Sequence, residues 1–298
     1  MNIDRLVILG VGLIGGSLAK ALRQANACKT IVGFGRSEAN LLTAIQLGVI
    51  DEFSLQAKDA VREADLVVLA TPLATNKVLF EEIAKTIRAD TIITDVGSAK
   101  ACVVEAARSG LGECFMNFVP GHPIAGKEKS GVEAANANLF EDHVVILTPL
   151  AETSIHALSL VTEMWETVGS EVITLGVEHH DAVLAATSHL PHMLAYALVD
   201  CLAKMQESEE IFQFAAGGFI DFTRIASSNP QMWHDICFSN RKSLLKVLDK
   251  FDGHMQEIRQ AIEGDDSEKI LQIFSRAKTA RDKLIAERPY SQSNGLSE

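Results

Sequence analysis

His122 is the residue of this sequence best suited to moving a proton. It stands in VPGHPIAGKEKSG, residues 119 to 131, where an apolar strand runs into a Gly-His-Pro turn that delivers the imidazole to an open edge. A neutral histidine of ordinary pKa, about 6.5, can take a proton at neutral pH, which makes His122 a candidate general base. A histidine bonded to nearby backbone is the competing reading, so the case rests on its neighbours. Ser98, in TDVGSAK at 94–100, also stands where a strand gives way to a helix. Its hydroxyl can hydrogen-bond His122 or a substrate, or cap the helix, and the roles can coexist. Past His122, a glycine-bounded loop carries Lys127, Glu128 and Lys129.

A second concentration of polar groups lies later. His179-His180-Asp181 precedes an apolar helical pattern containing Ser188-His189-Leu-Pro191-His192. His189 and His192, three apart, share a helix face, and Pro191 predicts a kink that could turn this face inward. No H-E-x-x-H spacing occurs and no carboxylate lies within Ser188–His192, so no metal is expected. Asp221 and Arg224 are again three apart, among Phe219, Phe222 and Ile225. An arginine held by an aspartate in apolar surroundings is a fork for a carboxylate; a structural Asp–Arg pair is the alternative.

Such groups need elements to position them. Leu6 to Leu9 is a continuous apolar run, as expected of a strand buried on both faces of a parallel sheet. It enters Gly10-Val-Gly12-Leu13-Ile14-Gly15-Gly16-Ser17 and then a helical pattern with Leu18 and Leu22 on one face. Strand, glycine turn and helix in this order form a dinucleotide-binding signature. Gly10 makes the turn, Gly12 admits a pyrophosphate, Gly15 allows close packing, and the N–H groups at the helix start, Leu13 and Ile14 included, face the phosphates. The second strand, Thr30 to Phe34, ends in Gly35-Arg36-Ser37 rather than in the acid that would bind the ribose of NAD. Glycine leaves room for a 2′-phosphate that Arg36 and Ser37 could bind, which favours NADP slightly. Arg36 stacked on adenine would keep NAD acceptable, and a solvated charge at a helix start is the bland alternative.

Further strands are read at 65–70, 91–94, 114–119, 143–148 and 171–175, with helices at about 38–48, 75–88, 99–109 and 153–168. This alternation predicts a doubly wound α/β sheet, with Thr71-Pro72, Ser98 and His122 projecting toward one crevice beyond the strand ends. From Gly176 onward only helical patterns appear. The expected division is a Rossmann domain over 1–174, a helical domain over 175–290 and a polar tail over 291–298. Helices at about 230–262 and 265–287 carry Leu244, Val247, Leu248 and Phe251 at helical spacing, as for a packing or dimer face.

Composition narrows the partners. Net charge is −12 with no Lys/Arg-rich block, which argues against nucleic acid or an anionic membrane surface. No run of about 20 uninterrupted apolar residues suggests a membrane span. The N-terminus, MNIDRLVILGVGLIGGSLAKA, mimics a secretory signal, but Asp4 and its glycines suit a strand and turn better. The 5 cysteines are widely spaced without a C-x-x-C pair, so neither disulfides nor zinc is expected and a reducing cytoplasm fits.

Taken together, GVGLIGGS (10–17), TDVGSAK (94–100), GHPIAGKEKSG (121–131), SHLPH (188–192) and GGFIDFTRIASSNPQMW (217–233) resemble the prephenate/arogenate dehydrogenase family. The matches span about residues 5 to 260 in family order. The resemblance implies a Rossmann domain followed by an all-α dimerisation domain, a homodimer, and oxidative decarboxylation of prephenate or arogenate with hydride transfer to NAD or NADP in tyrosine biosynthesis. By position it makes His122 the group bonded to the substrate's C4 hydroxyl, with Ser98 orienting it. His192 and Arg224 become substrate-binding groups, Arg224 for a carboxylate, Trp233 a wall of the site, and Glu128 an active-site residue. Lys127 departs from the small residue expected there, and an extra cation would favour the more anionic ligand. Without an appended regulatory domain, any tyrosine inhibition would act at the active site.

The nearest rival is a β-hydroxyacid or 6-phosphogluconate-type dehydrogenase, but the first helix of the second domain offers His189 and His192 and no lysine before Lys204. A redox-sensing NAD(P)-binding module would need the crevice without base or carboxylate anchor.

Overall fold

The computed structural model describes residues 3–126 and 129–287. β1 (Ile3–Leu9), β4 (Leu66–Leu69) and β5 (Ile92–Asp95) form the middle of a parallel sheet, and β4 and β5 are buried along their whole length. With β2 (Cys28–Phe34), the short edge strand β3 (Glu52–Ser54) and β6 (Phe118–Val119), the strand order is β3-β2-β1-β4-β5-β6. Strand alternation feeds two cores. Leu6, Ile8, Leu66 and Val68 pack on one face with Leu18 and Leu22 of α1 (Leu13–Gln24) and Trp165 of α6 (Ile155–Thr167). Val7, Leu9, Val67 and Leu69 pack on the other with Phe80 of α4 (Asn76–Ile83) and Val103 of α5 (Ala101–Gly110). The shorter helices α2 (Glu38–Gln46) and α3 (Ala57–Ala60) complete the connections.

The strand expected at 114–119 is mostly a 3₁₀ helix, Gly112–Asn117, with only Phe118 and Val119 in the sheet. Phe115 and Phe118 lie three apart and both enter the second core, a spacing that one helical turn satisfies and a strand does not. Pro120 then separates β6 from β7 (Gly121–Pro123), so His122 sits within a short strand rather than in a turn. β7 pairs antiparallel with β8 (Val144–Leu147), which pairs parallel with β9 (Glu171–Thr174) in a second sheet.

From Val177 to Ala203 the chain is one helical run: α7 (Val177–Leu184), a π-helical turn at Ala185–His189, and α8 (Leu190–Ala203). The wider turn ends two residues before Pro191, whose ring nitrogen cannot donate to the preceding turn. By length and composition this run is apolar enough to cross a membrane, yet it carries His180, Asp181 and His189 as buried, hydrogen-bonded groups. α9 (Ser208–Gln213), α10 (Gly217–Thr223) and α11 (Pro230–Ser239) follow, the last capped by Asn229, which accepts the Met232 N–H.

By packing, the chain divides into a unit ending at Arg241 and a unit beginning at Lys242. The change of pattern read near 170–180 therefore falls inside the first unit, because Asp181 is joined by hydrogen bonds to the start of α5. The second unit comprises α12 (Arg241–Glu263), after its first residue, and α13 (Ser267–Glu287), linked by an ion pair between Lys269 and Glu257 at 2.5 Å. Ile262, Leu271, Phe274 and Leu284 are exposed. The tail over 291–298 lies outside the described residues.

Candidate active site

At the end of β1 the chain turns through Gly10, whose φ of 103° is a glycine conformation and whose Cβ would stand 2.6 Å from the Ala70 carbonyl oxygen. A Cβ at Gly15 would stand 2.3 Å from the Gly10 oxygen, so the start of α1 can approach β1 this closely only without a side chain. Gly12 differs, since a Cβ there would meet nothing within 4 Å. As N-cap of α1 it brings no side chain to the helix terminus, and the first turn contains no acidic residue. The N–H groups of Leu13 and Ile14 thus stand at the positive end of the helix dipole with room beside them, a cradle that fits a dinucleotide pyrophosphate.

A crevice of about 410 Å³ opens there. Gly12, Leu13 and Ile14 line it, with Thr71 and Pro72 beyond β4, Ser98 beyond β5, and Met232 and Ile236 of α11. This is the switch point of the parallel sheet, where β1 and β4 diverge to opposite connections. Beyond β2, Ser37 caps α2 by accepting the Asn40 N–H at 3.3 Å. Arg36 is exposed and forms no ion pair or hydrogen bond among the described residues.

His122 is buried, retaining 8% of its surface. Gly121, just before it, is fixed on both sides: its N–H donates to Asp95 Oδ1 at 3.2 Å and its carbonyl accepts from Lys100 Nζ at 2.6 Å. Asp95 Oδ2 accepts from the Gly97 N–H at 2.8 Å and from Lys100 Nζ at 2.5 Å. One carboxylate therefore joins the backbone beside Ser98 to the backbone beside His122. The imidazole partner of His122 is not Ser98. His122 Nδ1 lies 2.9 Å from His180 Nε2, and His180 Nδ1 lies 2.8 Å from Asp181 Oδ1. Ser98 does not cap α5 either. Asp181 does so, accepting the Lys100 N–H at 2.8 Å and the Ala101 N–H at 3.0 Å.

Burial, then the neighbouring His180, Lys100 and His189, holds the His122 pKa well below its ordinary value. For Asp181 burial is the largest single influence and acts upward. The hydrogen bonds from His180, Lys100 and Ala101 together outweigh it and leave the carboxyl below its ordinary value.

A second cluster forms where α8 meets α11. His192 stacks on Trp233 with ring centroids 3.6 Å apart at 19°, and His189 meets the same indole edge-on at 6.2 Å. The shared face of the two histidines is thus turned onto one tryptophan. His192 donates through Nδ1 to the Ser188 carbonyl at 2.9 Å. Asn240 Nδ2 donates to the Asp181 carbonyl at 2.7 Å and to His189 Nδ1 at 3.2 Å, so His189 carries its proton on Nε2. Trp233 Nε1 is a buried donor without a partner among the described residues, whereas the His189 ring meets the Ser98 backbone. Burial lowers the His189 pKa to about 4. Arg224 begins the 3₁₀ turn after α10 and is exposed. Lys127 and Glu128 lie outside the described residues.

Of the residues singled out in the sequence, the structure brings Gly12, Leu13, Ile14, Thr71, Pro72 and Ser98 together in the crevice and stacks His192 on Trp233. The sequence did not point to Asp95, Lys100, His180, Asp181 and Asn240 as parts of the site. His179-His180-Asp181 stood out only as a polar group before a helix, and contacts spanning 58 to 81 residues leave no periodicity to read.

Residues 18–174 match the family model described as prephenate dehydrogenase, nucleotide-binding domain, and residues 176–276 the one described as prephenate dehydrogenase, dimerization domain. The chain is 38% identical to a cyclohexadienyl dehydrogenase of Zymomonas mobilis over 93% of this chain and 94% of that one. It is 39% identical to a prephenate dehydrogenase of Bacillus subtilis over 94% of this chain and 76% of that one. Its fold is similar to that of the Aquifex aeolicus prephenate dehydrogenase crystallised with hydroxyphenyl propionate and NAD+, with TM-score 0.89 and 36% identity over 95% of this chain and 99% of that one.

Proposed function

The chain belongs to the prephenate dehydrogenase family, and we propose that it oxidatively decarboxylates prephenate, with arogenate as the second candidate substrate, in tyrosine biosynthesis. The observation that carries this reading is the single Asp95 carboxylate that binds both Gly97, in the wall of the cofactor crevice, and Gly121, next to His122. It supports a proton acceptor placed beside a hydride acceptor. The bound nicotinamide supplies that hydride acceptor.

His122 takes the C4 hydroxyl proton as the C4 hydride departs. A base of lowered pKa suffices, because loss of hydride gives the C–O–H group the character of a protonated carbonyl, far more acidic than an alcohol. Release of the ring carboxylate as CO₂ pushes its electron pair into the ring and leaves a phenolate, which recovers the proton from His122. Aromatisation drives the step, so the protein chiefly positions and shields. Ser98 in the crevice wall holds the reacting hydroxyl. Arg224 pairs with a substrate carboxylate, and His192 on Trp233 forms the wall beside it. The buried donor Trp233 Nε1 meets a polar group of the bound ligands. Lys127 adds a cation that favours the more anionic prephenate, and Glu128 acts with it.

The cofactor is NADP or NAD. Gly35 in place of a carboxylate after β2, and Arg36 without an ion pair among the described residues, support acceptance of the 2′-phosphate. The exposed apolar residues of α12 and α13 support a homodimer, to be checked by sedimentation equilibrium. The 5 cysteines are free thiols, which supports a cytoplasmic setting. Initial rates with each pairing of NAD or NADP with prephenate or arogenate test the assignment. Turnover with prephenate is expected, and no turnover with any pairing would overturn it.

A further inference from the structure

The three-residue chain His122–His180–Asp181 has a direction that hydrogen-bond chemistry fixes. Asp181 is a carboxylate, whose oxygens only accept: Oδ1 takes the Lys100 N–H and Oδ2 the Ala101 N–H at the amino terminus of α5. The Asp181 backbone is fixed by Asn240, which donates to its carbonyl at 2.7 Å, and a turn of the side chain would break both bonds to the start of α5. The 2.8 Å contact to His180 therefore requires the proton on His180 Nδ1. A neutral His180 then presents an Nε2 lone pair, and the 2.9 Å contact beyond it requires the proton on His122 Nδ1. The nitrogen left to His122 for a ligand is Nε2, unprotonated.

The reverse polarity would need a doubly protonated His180 donating through Nε2, which would leave His122 with Nε2–H, unable to accept a proton. The charged and titratable groups around the pair oppose that extra charge. Lys100 is a fully buried cation whose carboxylate partner, Asp95, is already engaged by Gly97 and Gly121, and His189 adds no negative charge. Asp181 alone balances the pair, and its oxygens are shared with the backbone of α5.

We propose that His180, held by Asp181, is a positioning residue that fixes His122 in the tautomer whose Nε2 lone pair receives the substrate's hydroxyl proton. The inference rests on the reading of His122 as the base and assigns its orientation to α7 rather than to Ser98. It also makes the base depend on docking of α7 against the amino terminus of α5. When His122 accepts the proton, its Nδ1–H bond to His180 is kept, and Asp181 stabilises the new positive charge through His180.

The test compares His180→Leu with His180→Gln in the full-length enzyme. Leucine fills the space without an acceptor, whereas the glutamine carbonyl can receive the His122 Nδ1–H while its amide donates to Asp181. His180→Leu should lower kcat on the order of 10²-fold, as when an orienting group is lost from a catalytic histidine, with KM nearly unchanged. His180→Gln should recover most of that loss; a purely packing role predicts no such rescue. A kcat for the leucine variant within about threefold of wild type overturns the proposal. Should that variant fail to fold, ¹⁵N spectra of histidine-labelled wild-type enzyme decide, with the His122 signals identified by their loss in His122→Asn. A protonated Nδ1 and bare Nε2 are expected, and the opposite pattern overturns the proposal. If His122→Asn itself turns over like wild type, the base assignment has failed; if it is slow while His180→Leu is not, only the positioning role has.

Discussion

Asp95 and Lys100, both fully buried, form an ion pair at 2.5 Å at the end of β5. The pair sits among hydrogen bonds that satisfy its remaining capacity: Gly97 and Gly121 donate to Asp95, and the Gly121 carbonyl accepts from Lys100. It is less a source of net stability than a clamp that ties two backbone segments of the site together, residues 95–100 and Gly121.

Removal of one partner should expose that dependence. Lys100→Met leaves a buried carboxylate without its counter-charge and is expected to destabilise the protein by about 3–5 kcal/mol in urea unfolding. A change below about 1 kcal/mol would mean that the pair is solvated in solution.

His122→Asn should reduce kcat on the order of 10²-fold or more with KM nearly unchanged, as for a group that acts chiefly in the transition state. Steady-state kinetics with saturating cofactor measure this. A near-wild-type kcat would remove His122 from the mechanism.

The histidines also set a pH dependence. In the unfolded chain they bind protons near the ordinary 6.5, whereas in the folded chain His189 does so only near 4 and His122 well below 6.5. Between these limits the unfolded state holds more protons, so stability rises with pH. This contribution is fully present above 6.5 and is lost as pH falls toward 4 for His189, with His122 titrating below 6.5 in the same descent. Urea midpoints should therefore fall on acidification through this window, and His189→Asn should flatten part of the slope; identical slopes would count against His189. The acid limb of kcat/KM should likewise lie below 6.5, since His122 stays neutral there.

Arg224→Ala should raise KM for the substrate on the order of 10²-fold while kcat changes less, as expected for a charge-assisted carboxylate contact. An unchanged KM would leave Arg224 with only a structural pairing to Asp221.

Arg36→Ala should raise KM for NADP on the order of tenfold and leave that for NAD almost unaffected if the guanidinium binds the 2′-phosphate. Equal effects on both cofactors would point to stacking on adenine instead.

What the sequence determined by itself was local. The apolar runs of β1 and β4, the glycines at 10, 12 and 15, and the helical spacing from Val177 onward are written in neighbouring residues, because period and steric demand act over a few positions. The same logic failed at 112–117, where Phe115 and Phe118 satisfied one core by a 3₁₀ turn. Tertiary structure alone decided how His122 is held. Its partner His180 is 58 residues away, and the anchor of that partner, Asp181, caps a helix 80 and 81 residues earlier. Ser98, the nearer candidate in the sequence reading, lines the crevice instead. A hydrogen bond depends on distance and direction in space, and only the packed chain brings α7, β7 and the start of α5 within 3 Å of one another.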